Sequence, residues 1–335
     1  MIGTVVMKPL NLPQLGTITA FSYGDGVGRI KLDNGTELKV GTAGLKGIVN
    51  FSGEERPLVG VRVKVEDVAP HPLGGFRAIK LSRSGKEVSF KRMSTPAEWE
   101  TKLCEAGLSA AHAAKVRAAI RPAGQLSLKK GPVARAASKL GGRPDVPADF
   151  VWPTSGEQPL AFLGQLQLSD LPASVTADLA LPRTGLVAFF IGTAQGSDDP
   201  IGRAIVLLGG SKKLAPAAVR DTPTFDARAL AVKEIWTPPP VELVSSLIGG
   251  DETAERIYTA AFADHERASD GTARHRVGGH ALPIQGTPEN DDERLLLQID
   301  SEVACGMSWG DAGRLYFLIR TSSGLDGLRC ELQST

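Results

Sequence analysis

The chain has 335 residues, 42% hydrophobic and 22% charged, with a formal net charge of +1. That is enough apolar material for sizeable cores in two or three domains. No run approaches the roughly 18–20 continuous apolar residues of a membrane span, so no membrane partner is expected. The start, MIGTVVMKPLNLPQ, lacks the segments of a secretory signal, so the cytoplasm is the expected compartment.

Cys104, Cys305 and Cys330 are odd in number and scattered, which suits neither a disulfide framework nor a metal knuckle. Each reads as a small buried apolar residue. The near-zero net charge divides unevenly along the chain, about +11 over residues 1–140 and about −10 over 141–335. The split suggests an acidic partner for the first part and a basic one for the second.

In chain order, GTITAF, VGRIKL, ELKVGT, VGVRVKVEDV and FRAIKL are short β-branched runs separated by turns at YGDG, DNG and PLGG. They predict a small β-barrel within residues 1–90. The order of elements resembles a cold-shock or oligonucleotide-binding barrel. The aromatic stacking platform of that family is missing from the second and third strands, leaving Phe21 and Tyr23. A polar, basic linker, SRSGKEVSFKRMS, follows. Residues 91–137 then hold a helical pair, capped by Ser94 or Thr95 with Pro96 in the first turn and Glu98 on the helix dipole. Two short helices about Gly107 permit a DNA-reading helix-turn-helix. However, AAHAAKVRAAI offers few side chains for base edges and reads as a structural connector.

Residues 138–335 echo themselves at offsets of about 128 to 137 residues. GGRPDVP answers GGHALPIQ, and Gln165 on one apolar strand answers Gln298 on another. Gly185, Leu186, Phe189 and Phe190 stand against Gly313, Leu315, Tyr316 and Phe317. Between the units, RAIVLLGG and LAVKEIW read as strands. VELVSSLIGGDETAERIYTAAFADHERA reads as two helices, the second capped by Asp251. The expected fold is therefore α+β: a β-rich C-terminal domain with internal pseudo-duplication, preceded by a small all-β barrel and a short helical connector.

Six pieces in fixed order carry a family resemblance: SKLGGRPDVPADFVWP, PLAFLGQLQLSDL, LPRTGLVAFF, HRVGGHALPIQG, LLLQIDSE and MSWGDAGRLYFLI. Over residues 138–332 the chain resembles the YwqG-like bacterial proteins, whose activity is not generally established. The resemblance implies a β-rich pseudo-symmetric fold. It also implies a setting in which some relatives look like immunity proteins encoded beside secreted toxins.

The binding candidates are Trp309 and Asp311 in a strand-connecting turn, Arg143 and Arg183 beside proline-rich turns, Gln165, Gln298 and His280. A buried amide on an apolar strand must find partners, so each glutamine is read as tying a lead-in loop to its strand or as touching a ligand. His275 and His280 are not at a metal-ligand spacing, TPENDDER reads as a solvated loop, and no nucleophile motif or phosphate loop is present. No catalytic residue, metal or cofactor is expected. The leading expectation is a non-catalytic protein-binding module, an immunity-type protein masking a toxin domain with a basic face. Two alternatives stand beside it: a nucleic-acid-associated protein using the basic N-terminal region, and an enzyme with a cleft between the two halves.

Overall fold

The structure, a computed structural model, describes residues 10–22, 24–45, 58–71, 75–83, 90, 93–193, 199–207, 214–217, 222–267 and 274–335. Tyr23, most of the basic linker and most of the PLGG turn lie outside them. The first elements are β1 (Gln14–Ser22), β2 (Val27–Leu32), β3 (Glu37–Gly41), β4 (Arg62–Pro70), β5 (Phe76–Arg83), α1 (Pro96–Glu105) and α2 (Ala110–Ala119). Next come β6 (Arg121–Lys129), β7 (Lys139–Leu140), β8 (Ala161–Gln167), α3 (Ala173–Asp178), β9 (Leu186–Thr193), β10 (Pro200–Leu207) and β11 (Arg228–Thr237). The chain ends with α4 (Val241–Leu247), α5 (Glu252–Arg267), β12 (Arg276–Gly278), β13 (Glu293–Asp300), β14 (Arg314–Arg320) and β15 (Gly324–Gln333).

Two compact units result: residues 1–118 with 241–269, and residues 119–240 with 270–335. In the first, β1 to β5 close a barrel in the order β1-β2-β3-β5-β4, with β3 and β5 parallel. Alternation sends Ile18, Ile30, Leu38, Val40, Val63, Val65 and Ala78 inward to one core. The α1 N-terminus is a capping box, Thr95 Oγ1 accepting from Glu98 N–H and the Glu98 carboxylate accepting from Thr95 N–H. Trp99 of α1 is buried against Phe90, Tyr258 and His265 at ring separations of 5.5, 6.5 and 5.0 Å, which joins α1 to α5. Asp251 caps α5 through Thr253 and Ala254 N–H, as its position in the sequence suggests.

The second unit is a ten-stranded sheet ordered β10-β9-β8-β7-β11-β6-β12-β13-β14-β15. It curls until its edges meet: a Cβ added at Gly202 on β10 would lie 3.2 Å from Cys330 on β15. Phe189 and Phe317, from opposite halves, stand edge to face at 5.4 Å. The inside is one packed core that includes Leu126, Leu166, Val187, Leu230, Val277 and Leu315. The interior between the halves is thus packed core.

Read from either edge, the sheet repeats. Lys139 and Leu140 pair with Gln165 and Gly164 as Arg276 and Val277 pair with Gln298 and Leu297. The register slips at Phe162/Gly164 on β8 and at Leu295/Leu297 on β13. The glycine pairs 141–142 and 278–279 all have φ between 64° and 77°. These φ values are in the left-handed region, where glycine is the residue without steric cost. The sequence echo needs one correction: register matches Phe189 to Phe317, Phe190 to Leu318, and Ala188 to Tyr316.

The first strand of each half is exchanged. β6 precedes the first half but pairs with β12 of the second, β11 precedes the second but pairs with β7 of the first, and β6 and β11 pair with each other. The residues 119–137 read as linker thus supply a central strand, and α4 and α5 belong to the first compact unit.

Candidate functional site

Six of the seven nominated residues fall at three equivalent positions of the two halves: Gln165 with Gln298, Arg143 with His280, and Arg183 with Asp311. The seventh, Trp309, has Leu181 as its counterpart, counted back from the glycines 313 and 185 that both bond the preceding turn. The sequence signals therefore mark the joints of a duplicated fold.

The glutamines are those joints in chemical detail. Gln165 Oε1 accepts from Asp145 N–H at 2.9 Å, and its Nε2 donates to Ala137 O at 3.0 Å and Asp145 Oδ2 at 2.9 Å. Gln298 Oε1 accepts from Leu282 N–H at 2.9 Å and its Nε2 donates to Arg274 O at 2.8 Å. Both side chains are buried and tie the same backbone groups of the lead-in loop to the strand. In the first half Lys139 adds a buried ion pair to Asp145 at 2.7 Å.

His280 Nε2 meets Ala119 O at 2.7 Å and so carries the proton, while its backbone N–H donates to Thr237 Oγ1. Burial, then Arg121, Arg294 and Arg276 nearby, push its pKa down to about 3, so the ring is neutral. His275 Nδ1 accepts from Asp300 N–H, leaving Nε2 to face Glu302 Oε2 at 3.3 Å. Burial is the largest cause lowering its pKa as well. Both rings are committed to structural bonds, His275 through both nitrogens and His280 through Nε2. Among the described residues no group of His, Cys, Asp or Glu is arranged to hold a metal.

Arg143 is exposed, while Arg183 donates to Thr176 Oγ1 at 3.0 Å from an exposed turn. Asp311 is exposed and its carbonyl accepts from Thr335. Trp309 lies against Phe225 at 6.0 Å with its indole N–H buried and without a hydrogen-bond partner. The nominated side chains do not converge on one site.

The sequence reading missed two features. The TPENDDER run is not a solvated loop throughout: Glu293 is 1% exposed and bonded to Arg329, and Glu289 is nearly covered and 3.6 Å from Arg121. Burial raises the Glu289 pKa, while Arg329 leads the causes that hold Glu293 below the usual carboxylate range. Scattered across distant segments, the Arg121, Arg276, Arg294 and Glu289 set around His280 had no local signature.

The second feature is an apolar groove of about 350 Å³ lined chiefly by Leu179, Leu181, Pro182, Val206, Ile319 and Leu325, with Asp326 at its rim. It opens where the turn after α3 meets β10, β14 and β15. Leu181 stands where the other half has Trp309.

Charge also sorts differently once the units are known. The sheet unit carries about 19 Lys and Arg against about 20 Asp and Glu, and the barrel unit about 19 against about 17. Arg121, Lys129, Lys130, Arg135 and Lys139, all before Leu140, belong to the sheet unit, and the acidic α4–α5 segment belongs to the barrel unit. The electrostatic ground for an acidic C-terminal domain seeking a basic partner face is gone.

The fold and its ties define a duplicated, curled-sheet domain whose halves exchange a strand, attached to a barrel unit. The chain belongs to the family described as a domain of unknown function, DUF1963, whose sequence profile matches residues 138–324. That span begins after β6 and so leaves out a central strand of the sheet it describes. No curated protein matches the chain. No described helix is long and apolar enough to cross a membrane.

Proposed function

We propose that this protein is a non-catalytic binding protein of the cytoplasm, whose curled-sheet unit holds a protein partner through the apolar groove beside Leu181. The observation that carries the reading is the groove: a concave apolar site of about 350 Å³, the size of a large side chain or two, with one carboxylate at its rim. Such a pocket accepts the buried anchor that dominates a protein interface. The immunity-type role is the specific form of this reading, with a secreted bacterial toxin domain as the partner. Its support is the likeness of residues 138–332 to the YwqG-like proteins, and selection would rest on shape, since the unit's charge is balanced. The barrel's closed β1-β2-β3-β5-β4 order supports its likeness to an oligonucleotide-binding barrel.

The test uses the other half of the molecule as its template. Leu181→Trp places in the groove the side chain found at Trp309. Intact protein and variant are used as bait in lysate of the source cells, with nuclease treatment and mass spectrometry. A single stoichiometric protein held by the parent and lost by Leu181→Trp supports the reading, and toxicity of that protein with and without this chain then tests the immunity role. Equal capture by both forms, or capture of nucleic acid alone, sinks it.

A further inference from the structure

The apolar groove beside Leu181 has cationic neighbours that its lining does not account for. Neighbouring strands of the ten-stranded sheet all run antiparallel, so one rim collects alternate strand starts and strand ends. On that rim lie Val206 near the end of β10, Ile319 near the end of β14, and Leu325 near the start of β15, all lining the groove. The same rim carries Arg121 at the start of β6 and Arg294 near the start of β13.

Arg294 lies directly opposite Ile319 in the β13–β14 ladder, so the two side chains leave on one face with Cβ atoms about 5 Å apart. Its guanidinium donates to Glu293 O at 3.0 Å, and among the described residues it has no carboxylate at ion-pair distance. Arg121 is loosely held. Glu289 stands 3.6 Å away, with an Oε1 that is buried and has no hydrogen-bond partner. Burial leads the causes that lower the Arg121 pKa; repulsion from Arg294 adds to it, while Glu289 and Asp178 oppose it. Asp178 is exposed and immediately precedes Leu179 of the groove, so both arginines and the groove share one neighbourhood. Positive charge is thus left poorly compensated beside an apolar site, which suits a ligand that joins an anion to an apolar group.

The groove also offers main-chain partners. β10 and β15 are the first and last strands of the sheet order, so each has one side that no described strand pairs with. Backbone groups on such a side bond an incoming extended chain. Asp326 at the rim adds an acceptor for amide N–H groups. An acyl chain would leave all of these unmatched, whereas a peptide uses them.

We infer that the groove receives the C-terminus of the partner's chain, with an apolar last side chain in the groove and the α-carboxylate on Arg294 and Arg121. The inference rests on the groove reading above and adds which part of the partner enters. A guanidinium binds a carboxylate through charge-assisted, forked hydrogen bonds, so the recognised end must be a free acid.

The experiment uses peptides of about eight residues, longer than one strand, labelled at the N-terminus. Each amino acid in turn occupies the last position, with mixtures before it, and each peptide is made as the free acid and as the C-terminal amide. Fluorescence anisotropy with the full chain reads binding. The parent should bind acids ending in Leu, Ile, Val or Phe about tenfold or more tightly than their amides. Arg294→Gln should remove that preference and leave the amides unchanged, and Arg294→Lys should restore part of it. Should Arg294→Gln fail to fold in thermal unfolding, Arg121→Gln reads the same contrast. Arg203→Gln, exposed on β10, should stay within about twofold of the parent. The inference is overturned if the parent binds no free acid, or if both arginine variants keep the preference for acid over amide. Acids and amides bound equally, and both lost in Leu181→Trp, would overturn the terminus and leave the groove reading standing. Decanoate bound without any peptide acid would overturn it in favour of a small amphiphile.

Discussion

The two halves of the sheet unit share their ties and differ in what covers them. The first half lays rings on its outer face: Phe150 stacks on Phe190 at 5.9 Å, and Trp152 and Phe162 meet the same ring edge-on at 5.2 and 5.6 Å. The second half covers the same face with charge and hydroxyl. Arg314 replaces Leu186 and binds Asp300 and Leu282 O, while Tyr316 replaces Ala188 and donates to Leu282 O at 2.9 Å. Asp300 itself stands where the first half has Gln167. A single backbone plan therefore accepts an apolar or an ionic cover, provided the glutamine and glycine joints remain. The joints specify the fold, and the covers are where the halves could acquire separate roles.

The largest effect should come from forcing one cover toward the other. Arg314→Leu leaves Asp300 without its counter-ion in a largely buried setting and should cost about 3 kcal/mol in urea denaturation. Adding Asp300→Gln recreates the Gln167–Leu186 pair of the first half and should recover most of that loss. If the double variant is no more stable than the single, the two covers are not interchangeable. Removing the joints should cost somewhat less, about 1–3 kcal/mol for Gln165→Leu or Gln298→Leu. Gln165 should be the more expensive, because it also serves the buried Asp145; an equal or reversed order breaks the comparison.

A third contrast concerns acid. His280, ringed by Arg121, Arg276, Arg294 and Glu289, is neutral in the fold with a pKa pushed down to about 3, whereas the first half has Arg143 at this position. The unfolded chain takes up the proton first as pH falls below about 6.5. Stability from this group is therefore complete above that pH and declines toward pH 3, by up to about 1.4 kcal/mol per pH unit. His275 is shifted in the same direction and adds to the slope. His280→Gln should flatten the decline seen in denaturation series across this range; an unchanged slope would mean that the ring is not the titrating group. Smallest in stability is Leu181→Trp, which should stay within about 1.5 kcal/mol of the parent if the groove accepts the indole, while abolishing partner capture.

Much of this was written locally in the chain. The five barrel strands and the Thr95 and Asp251 caps depend on residues a few positions apart, and the Gln165–Gln298 echo on two short motifs that repeat, so short patterns reveal them. β6 was hidden because Pro122 and Gly124 argue against a central strand and both its neighbours lie far along the chain. The match of Tyr316 to a phenylalanine slipped by one, which in a strand exchanges the inner face for the outer. The groove needs three strands and a turn that meet only when the sheet curls. The charge split was real in the sequence and misleading in the fold, because the units are not contiguous stretches of chain.

The exchanged strands also set a schedule for synthesis. β6 leaves the ribosome with both its neighbours unmade: β11 follows about 100 residues later and β12 about 150 residues later. At roughly 5–20 residues per second, that is a wait of about 5 to 20 seconds before the first ladder can form. Throughout that interval a nascent strand has no native partner, and the first half cannot complete its β7 edge without β11. Neither half can finish folding on its own during translation. The sheet unit must close late, as one event, with chaperones the natural custodians of the interval.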